Sequence, residues 1–282
     1  MTGMEVPSGA GLSHACHVGV LALRPAPEGT IMRRSCPGRI LWREDPGPGG
    51  VTLRASLPIQ ISPLPGLIHE DAGLLVLDKP SGLLCVPGRG ADKQDCLSSR
   101  ALQRWPDALV VHRLDMATSG LVLMARGTDM QRALSHAFAT QQVDKRYEAV
   151  VDGLLPDEGR GQWQEIDAPI AADWPRRPLR VIDPVNGKPS LTRWRVKQAL
   201  PQLNATHLEL APQTGRTHQL RVHLAHIGHP ILGDMLYAGE AAQARAPRLL
   251  LHATALAFVH PFTQQALRFE SAAPFGGADI AP

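Results

Sequence analysis

The residues whose types and spacing best suit chemistry lie in His112-Arg113-Leu114-Asp115-Met116-Ala117-Thr118-Ser119-Gly120. One carboxylate, Asp115, follows an apolar run and stands beside two side chains able to carry positive charge, in a turn rich in hydroxyls. A neighbouring guanidinium favours the ionised form of a carboxylate. In a cleft, such a group can act as a nucleophile, as a base, or as a stabiliser of positive character at a sugar carbon. The same residues also suit a purely structural turn, with Asp115 capping the loop and pairing with Arg113.

A second constellation is Gly215-Arg216-Thr217-His218-Gln219-Leu220-Arg221-Val222-His223. Leu220, Leu224 and Ile227 recur at helical spacing, with Thr217 as the expected N-cap, Gly228 at the end and Pro230 beyond. Backbone N–H groups and two arginines then surround a helix start, which favours an anion. His218 and Arg221, three apart, share a face; a solvated basic face is the alternative. Histidines 218, 223, 226 and 229 follow no His-Glu-x-x-His pattern and have no cysteine nearby, so they suit packing and polar contacts better than a metal.

Two further segments carry charge beside a ring. Lys145-Arg146-Tyr147 leads into a strand, and Tyr147 could stack on a base while its hydroxyl meets a carboxylate, or simply fill the core. Asp173-Trp174-Pro175-Arg176-Arg177-Pro178-Leu179-Arg180 sets Arg176, Arg177 and Arg180 around a tryptophan in a proline-stiffened loop. That suits phosphate contacts plus stacking, or an ordinary surface loop.

The elements that must position these groups are mostly strands. Gly73–Leu77, Ala108–Leu114 and Leu121–Ala125 are apolar runs, the last two separated by a polar turn at Asp115–Gly120. Met130–Ala139 has helical spacing, with Ala133, Leu134, Ala137 and Phe138 on one face. Tyr147–Val151, Leu191–Lys197 and Thr206–Leu210 read as strands, and Ala253–Phe269 as a hairpin turning near Pro261–Gln265. Strands outnumber helices in irregular order. The expected class is α+β, with a mixed, largely antiparallel sheet, flanking helices and a central cleft.

The 282 residues suffice for a sizeable core, and 44% hydrophobic with 20% charged residues is ordinary for a globular protein. The net charge of +3 permits a nucleic-acid partner without demanding one, and 4% aromatics argues against a surface of many stacked rings. Residues 1–66 differ: 9 Pro and 10 Gly predict a flexible extension, with translation starting downstream at Met32 or nearer Val51. Residues 67–275 form the expected folded domain and 276–282 a tail. No apolar run reaches the roughly 20 residues of a spanning helix. No basic residue precedes Arg24 to open a secretory signal. Cys16, Cys36, Cys85 and Cys96, without a CxxC pair, read as free thiols of a cytoplasmic protein.

Together, DKPSGLLCVPG (78–88), HRLDMATSG (112–120), KRYEAVVDG (145–153) and TGRTHQLRVHLAHIGHPILGD (214–234) resemble the RluA family of pseudouridine synthases. The likeness spans about residues 67–275. DWPRRPLRV (173–181), GHPILGDMLYA (228–238) and APRLLLHA (246–253) resemble the branch acting on both 23S ribosomal RNA and the tRNA anticodon stem-loop. The resemblance implies that Asp115 is the catalytic aspartate, which either attacks the ribose C1′ or takes its 2′ proton. It implies that Tyr147 packs on the target base and can help remove the C5 proton, and that Arg221 pairs with the carboxylate. Arg113 would enter the RNA helix as the uridine flips out. His112, Thr118, Arg176, Arg177, Arg180, Arg216 and His218 are the remaining RNA-contact candidates. The family uses no metal and no organic cofactor. The expected partners are 23S rRNA and/or tRNA, with a monomeric protein and neither a membrane nor an obligate protein partner. The alternatives are a synthase of this family with a different rRNA or tRNA target, or a non-catalytic RNA-binding protein of the same fold.

Overall fold

The computed structural model describes residues 66–156, 161–276 and Ile280. Apart from Gly66, the expected 1–66 extension lies outside the described residues, as do Cys16, Cys36 and most of the 276–282 tail. The chain runs β1 (Gly66–Glu70), β2 (Leu74–Lys79), α1 (Leu97–Arg104), β3 (Ala108–Val110), β4 (Ser119–Arg126), α2 (Thr128–Ala139) and β5 (Asp144–Asp152). It continues with β6 (Gln164–Asp167), β7 (Ile170–Ala172), β8 (Arg180–Ile182), β9 (Leu191–Leu200), β10 (Ala205–Pro212) and α3 (Gln219–His226). The last elements are α4 (Glu240–Ala244), β11 (Leu251–Val259) and β12 (Ala266–Glu270).

Among the described residues, one ten-stranded sheet runs β1-β2-β4-β11-β5-β10-β9-β6, with β12 beside β11 and β3 beside β4. All of its pairings are antiparallel except β4 with β11. This is the expected α+β class with a mixed, largely antiparallel sheet. β7 and β8 form a separate hairpin.

The hydrophobic pattern follows from how each half of the sheet is covered. Side chains alternate between faces along a strand. Leu75 and Leu77 of β2 pack with Val122 and Met124 of β4 against Leu97 and Ala101 of α1. Leu74 and Val76, with Leu121 and Leu123, pack against Met130 and Leu134 of α2. Both faces are buried, so these strands read as unbroken apolar runs. Each of these fully buried leucines contributes about 1.5–3 kcal/mol. Across the seam, Leu208 and Leu210 of β10 pack with Leu220 and Leu224 of α3. The opposite face carries cross-strand ion pairs, Arg195 with Glu209 at 2.6 Å and Lys197 with Glu148 at 2.6 Å. One dry face and one charged face give the alternation seen in the sequence.

The seam is made by β11, which meets β4 on one side and β5 on the other. Ser119 and Gly120 pair with His252 and Ala253, and Tyr147 pairs with Ala253. Gly120 has φ +112, and a Cβ there would lie 2.5 Å from the Ala253 nitrogen and 2.8 Å from its Cα. Only glycine allows this approach.

Two local expectations are corrected. The run Ala108–Leu114 is a strand only over Ala108–Val110, because the chain then leaves β4 to form the loop that carries Asp115. Thr217 does not cap α3: the N-cap is His218, held in the left-handed region at φ 58 without a side-chain cap bond. The C-terminal hairpin and the helix over 130–139 fall where expected.

Candidate active site

The Asp115 turn is clamped from below by residues 79–85. Lys79, fully buried, donates from Nζ to the carbonyls of Pro80 and Leu83 at 2.8 Å and of Met116 at 3.1 Å. Ser81 Oγ donates to Ala117 O at 2.7 Å, and the Gly82 amide donates to Met116 O at 2.8 Å. The Leu114 amide donates to Cys85 Sγ at 3.2 Å. Burial lowers the Lys79 ammonium to about 8, yet three carbonyl acceptors call for three N–H donors, which only the charged form supplies. The geometry therefore argues for a charged lysine at neutral pH.

These clamps hold Asp115 at the edge of a cleft of about 470 Å³, within the roughly 300–1,000 Å³ of small-molecule sites. His112, Arg113, Asp115, Thr118, Tyr147, Arg216, His218 and Arg221 all line it. Arg221 Nη1 lies 3.6 Å and His218 Nε2 3.9 Å from Asp115 Oδ2. Arg221, rather than Arg113, is the guanidinium beside the carboxylate among the described residues, with the His218 ring next to it.

Arg221 has a stronger partner as well. Its Nε and Nη2 donate to Asp234 Oδ2 and Oδ1 at 2.8 and 2.6 Å, and both side chains are buried. Asp234 also accepts from the amides of Leu236 and Tyr237 at 2.9 and 3.2 Å. Although burial opposes its charge, these carboxylates raise the Arg221 guanidinium above its ordinary range. Arg221 is thus a fixed cation aimed at Asp115 from behind.

Tyr147 enters the cleft from β5. Burial, with the Asp115 charge adding to it, pushes its phenol well above the usual tyrosine range. At rest it is a neutral ring with an O–H, not a phenolate. His112 is committed on one edge: Nε2 accepts from the Leu123 amide at 2.9 Å, and the ring stacks on Phe138 at 4.4 Å. Burial lowers it to about 3, so it is neutral. Arg113 and Arg216 are exposed at the cleft, whereas Thr118 is only 3% exposed.

The Arg-rich loop lies between β7 and β8, and Arg176 and Arg177 do not line the cleft. Arg176 pairs with Asp173 at 2.6 Å, and the Arg177 guanidinium sits 3.5 Å from the ring of Trp174, which is 70% exposed. The Arg180 amide donates to Tyr237 Oη at 2.9 Å, and that hydroxyl contacts His218 Nδ1 at 2.7 Å. His223 bonds Thr192 Oγ1 and Ala168 O, and His229 bonds Asp152 O. Among the described residues no three His, Cys, Asp or Glu converge as metal ligands.

The sequence reading did not single out Lys79, Asp234 or Tyr237. Each lies within a quoted segment, but a buried lysine and a carboxylate 13 residues from its arginine leave no local periodic signal. A glycosidase reading would need a second carboxylate. Asp234, which shares Arg221 with Asp115, is already occupied by that guanidinium and two backbone amides.

Comparison with known proteins points the same way. Residues 73–226 match the family model of RNA pseudouridylate synthase. The chain is 43% identical over 209 residues to the dual-specificity RNA pseudouridine synthase RluA of Pasteurella multocida, covering 74% of this chain and 93% of that protein. It is 41% identical over 210 residues to the protein of that name from Escherichia coli K12, with the same coverage. Among solved structures it resembles human RNA pseudouridylate synthase domain containing 1, with a TM-score of 0.64, 26% identity, and 80% and 91% of the two chains covered. With the family matched over more than half its length, this chain belongs to the RNA pseudouridylate synthases, isomerases that act on RNA.

Proposed function

We propose that residues 67–275 convert selected uridines to pseudouridine in 23S ribosomal RNA and in the tRNA anticodon stem-loop, as a monomer in the cytoplasm. The carrying observation is Asp115, half-buried in a cleft with Arg221 behind it and Tyr147 on its wall. The dual-specificity names of the relatives support the pair of substrates.

In this reading the target uridine leaves its helix and enters the cleft. Unstacking costs a few kcal/mol, offset by Arg113 entering the vacated space and by contacts from His112, Thr118, Arg216 and His218. Arg176, Arg177 and Arg180 take phosphates further along the RNA, with Trp174 offering a stacking face. Asp115 either attacks C1′ or removes the 2′ proton as the C1′–N1 bond breaks. The uracil turns against the Tyr147 ring and C5 joins C1′, with the Asp115–C1′ bond breaking in the first route or the 2′ proton returning to C2′ in the second. The C5 proton then leaves and N1 is protonated. Arg221 keeps Asp115 ionised and oriented throughout. No metal or organic cofactor enters the scheme.

Incubating the protein with unmodified tRNA and with a 23S rRNA fragment, then mapping pseudouridine in each, tests the substrates. Modification of both is expected. Modification of one alone would narrow the specificity, and modification of neither would overturn the proposal.

A further inference from the structure

His218 occupies a costly position. It caps α3 at φ 58, a region where a histidine is strained relative to glycine or asparagine, yet its side chain makes no capping bond. The ring is instead fixed from outside. Tyr237 Oη, which contacts Nδ1 at 2.7 Å, already accepts the Arg180 amide at 2.9 Å. The acceptor available to the tyrosine's own proton, among the described residues, is Nδ1. A neutral imidazole accepting at Nδ1 must carry its proton on Nε2. Burial, with Arg221 and Arg180 adding to it and Asp115 opposing, moves the ring below its ordinary range.

Nε2 faces Asp115 Oδ2 at 3.9 Å, and Arg221 Nη1 faces the same oxygen at 3.6 Å. Two N–H groups therefore stand beside the same carboxylate, each just beyond hydrogen-bond distance of Oδ2. We propose that Tyr237 sets His218 in its Nε2–H tautomer so that it offers the catalytic carboxylate a hydrogen-bond donor, the bond closing from 3.9 Å once the nucleotide is in place, and that with Arg221 it orients Asp115. Tyr237 is then a positioning residue, and through its bond to the Arg180 amide it ties the Arg-rich hairpin to the site. This inference rests on the reading of Asp115 given above. It adds what orients the carboxylate.

Nitrogen-15 spectra of the histidine rings in the intact protein report the tautomer directly, with His218→Gln identifying the signal. The expected ring is protonated at Nε2 and bare at Nδ1, and Tyr237→Phe should let the two tautomers mix. Turnover supplies the second readout. Glutamine can place an amide N–H where Nε2–H stood, whereas asparagine reaches only to the Nδ1 position but suits the left-handed backbone better. His218→Gln should therefore turn over about tenfold faster than His218→Asn, even if it is the less stable of the two. Tyr237→Phe should slow turnover with little change in RNA affinity. A wild-type ring protonated at Nδ1, or asparagine matching glutamine in rate, would overturn the proposal. Wild-type protein that makes no pseudouridine would instead refute the underlying reaction, whatever the tautomer.

Discussion

Replacing Asp234 by asparagine should be one of the most damaging near-isosteric changes in this protein. The carboxylate is fully buried and accepts four hydrogen bonds, two from Arg221 and two from the amides of Leu236 and Tyr237. Asparagine puts an NH₂ in place of one oxygen. In one orientation that group faces Arg221 Nε, and in the other it faces Arg221 Nη2 and both backbone amides, so donors oppose donors either way. The guanidinium is also left buried without its principal counter-charge. Breaking a buried ion pair from one side costs about 3–5 kcal/mol. At about 2–4 °C per kcal/mol for a domain of this size, the melting midpoint should fall by about 6–20 °C. Thermal and urea unfolding of Asp234→Asn, Arg221→Met and the double variant would measure it. The double variant should lose about 2 kcal/mol less than the sum of the singles, since it strands no charge. Simple additivity, or a loss below about 1 kcal/mol for Asp234→Asn, would refute the view of Arg221 as a buried cation anchored by Asp234.

Other outcomes follow from the same geometry. Gly120→Ala should prise β4 from β11 and cost at least about 3 kcal/mol through backbone strain and overlap with Ala253, read by urea unfolding. Burial lowers His112, His218, His223 and His252 below their ordinary range. The unfolded chain therefore binds more protons once pH drops below about 6.5, and stability, intact above that pH, should decline below it. The slope is at most about 1.4 kcal/mol per pH unit for each histidine; a flat profile between pH 6.5 and 5 would contradict their neutral burial. Changing Arg176 and Arg177 together to alanine should lower the salt dependence of RNA binding by about 1.4 in log–log slope, if each meets one phosphate of an unpaired strand. An unchanged slope would remove the hairpin from the RNA path.

Legibility in the sequence tracked how local the determining interaction was. Leu74–Leu77 and Leu121–Ala125 stood out because burial on both faces leaves no polar interruption, and the hairpin around Pro261–Gln265 because its turn is contiguous. Asp115, Tyr147 and Arg221, which the structure gathers around one cleft, stand out in the sequence through their motifs. What went unseen depends on distant partners. Lys79 looks like the start of a turn until Met116, 37 residues on, supplies its third acceptor. Asp234 carries no sign of Arg221 in its neighbourhood, and His218 has no local feature predicting φ 58. Thr217 fits the usual chemistry of a helix cap, but the buried Gln219 bonds Leu191 O and Thr192 Oγ1 while accepting from Thr214 and Arg216. That network fixes the loop before α3 and shifts the helix start by one residue.

The most direct test of the central claim is tritium release from RNA labelled at uridine C5, run with wild-type protein and with Asp115→Asn, alongside RNA binding and assay of free uracil. The account predicts release by the wild-type protein, none by the variant, nearly equal affinities and no free uracil. Release that survives Asp115→Asn, or uracil appearing in solution, would contradict it.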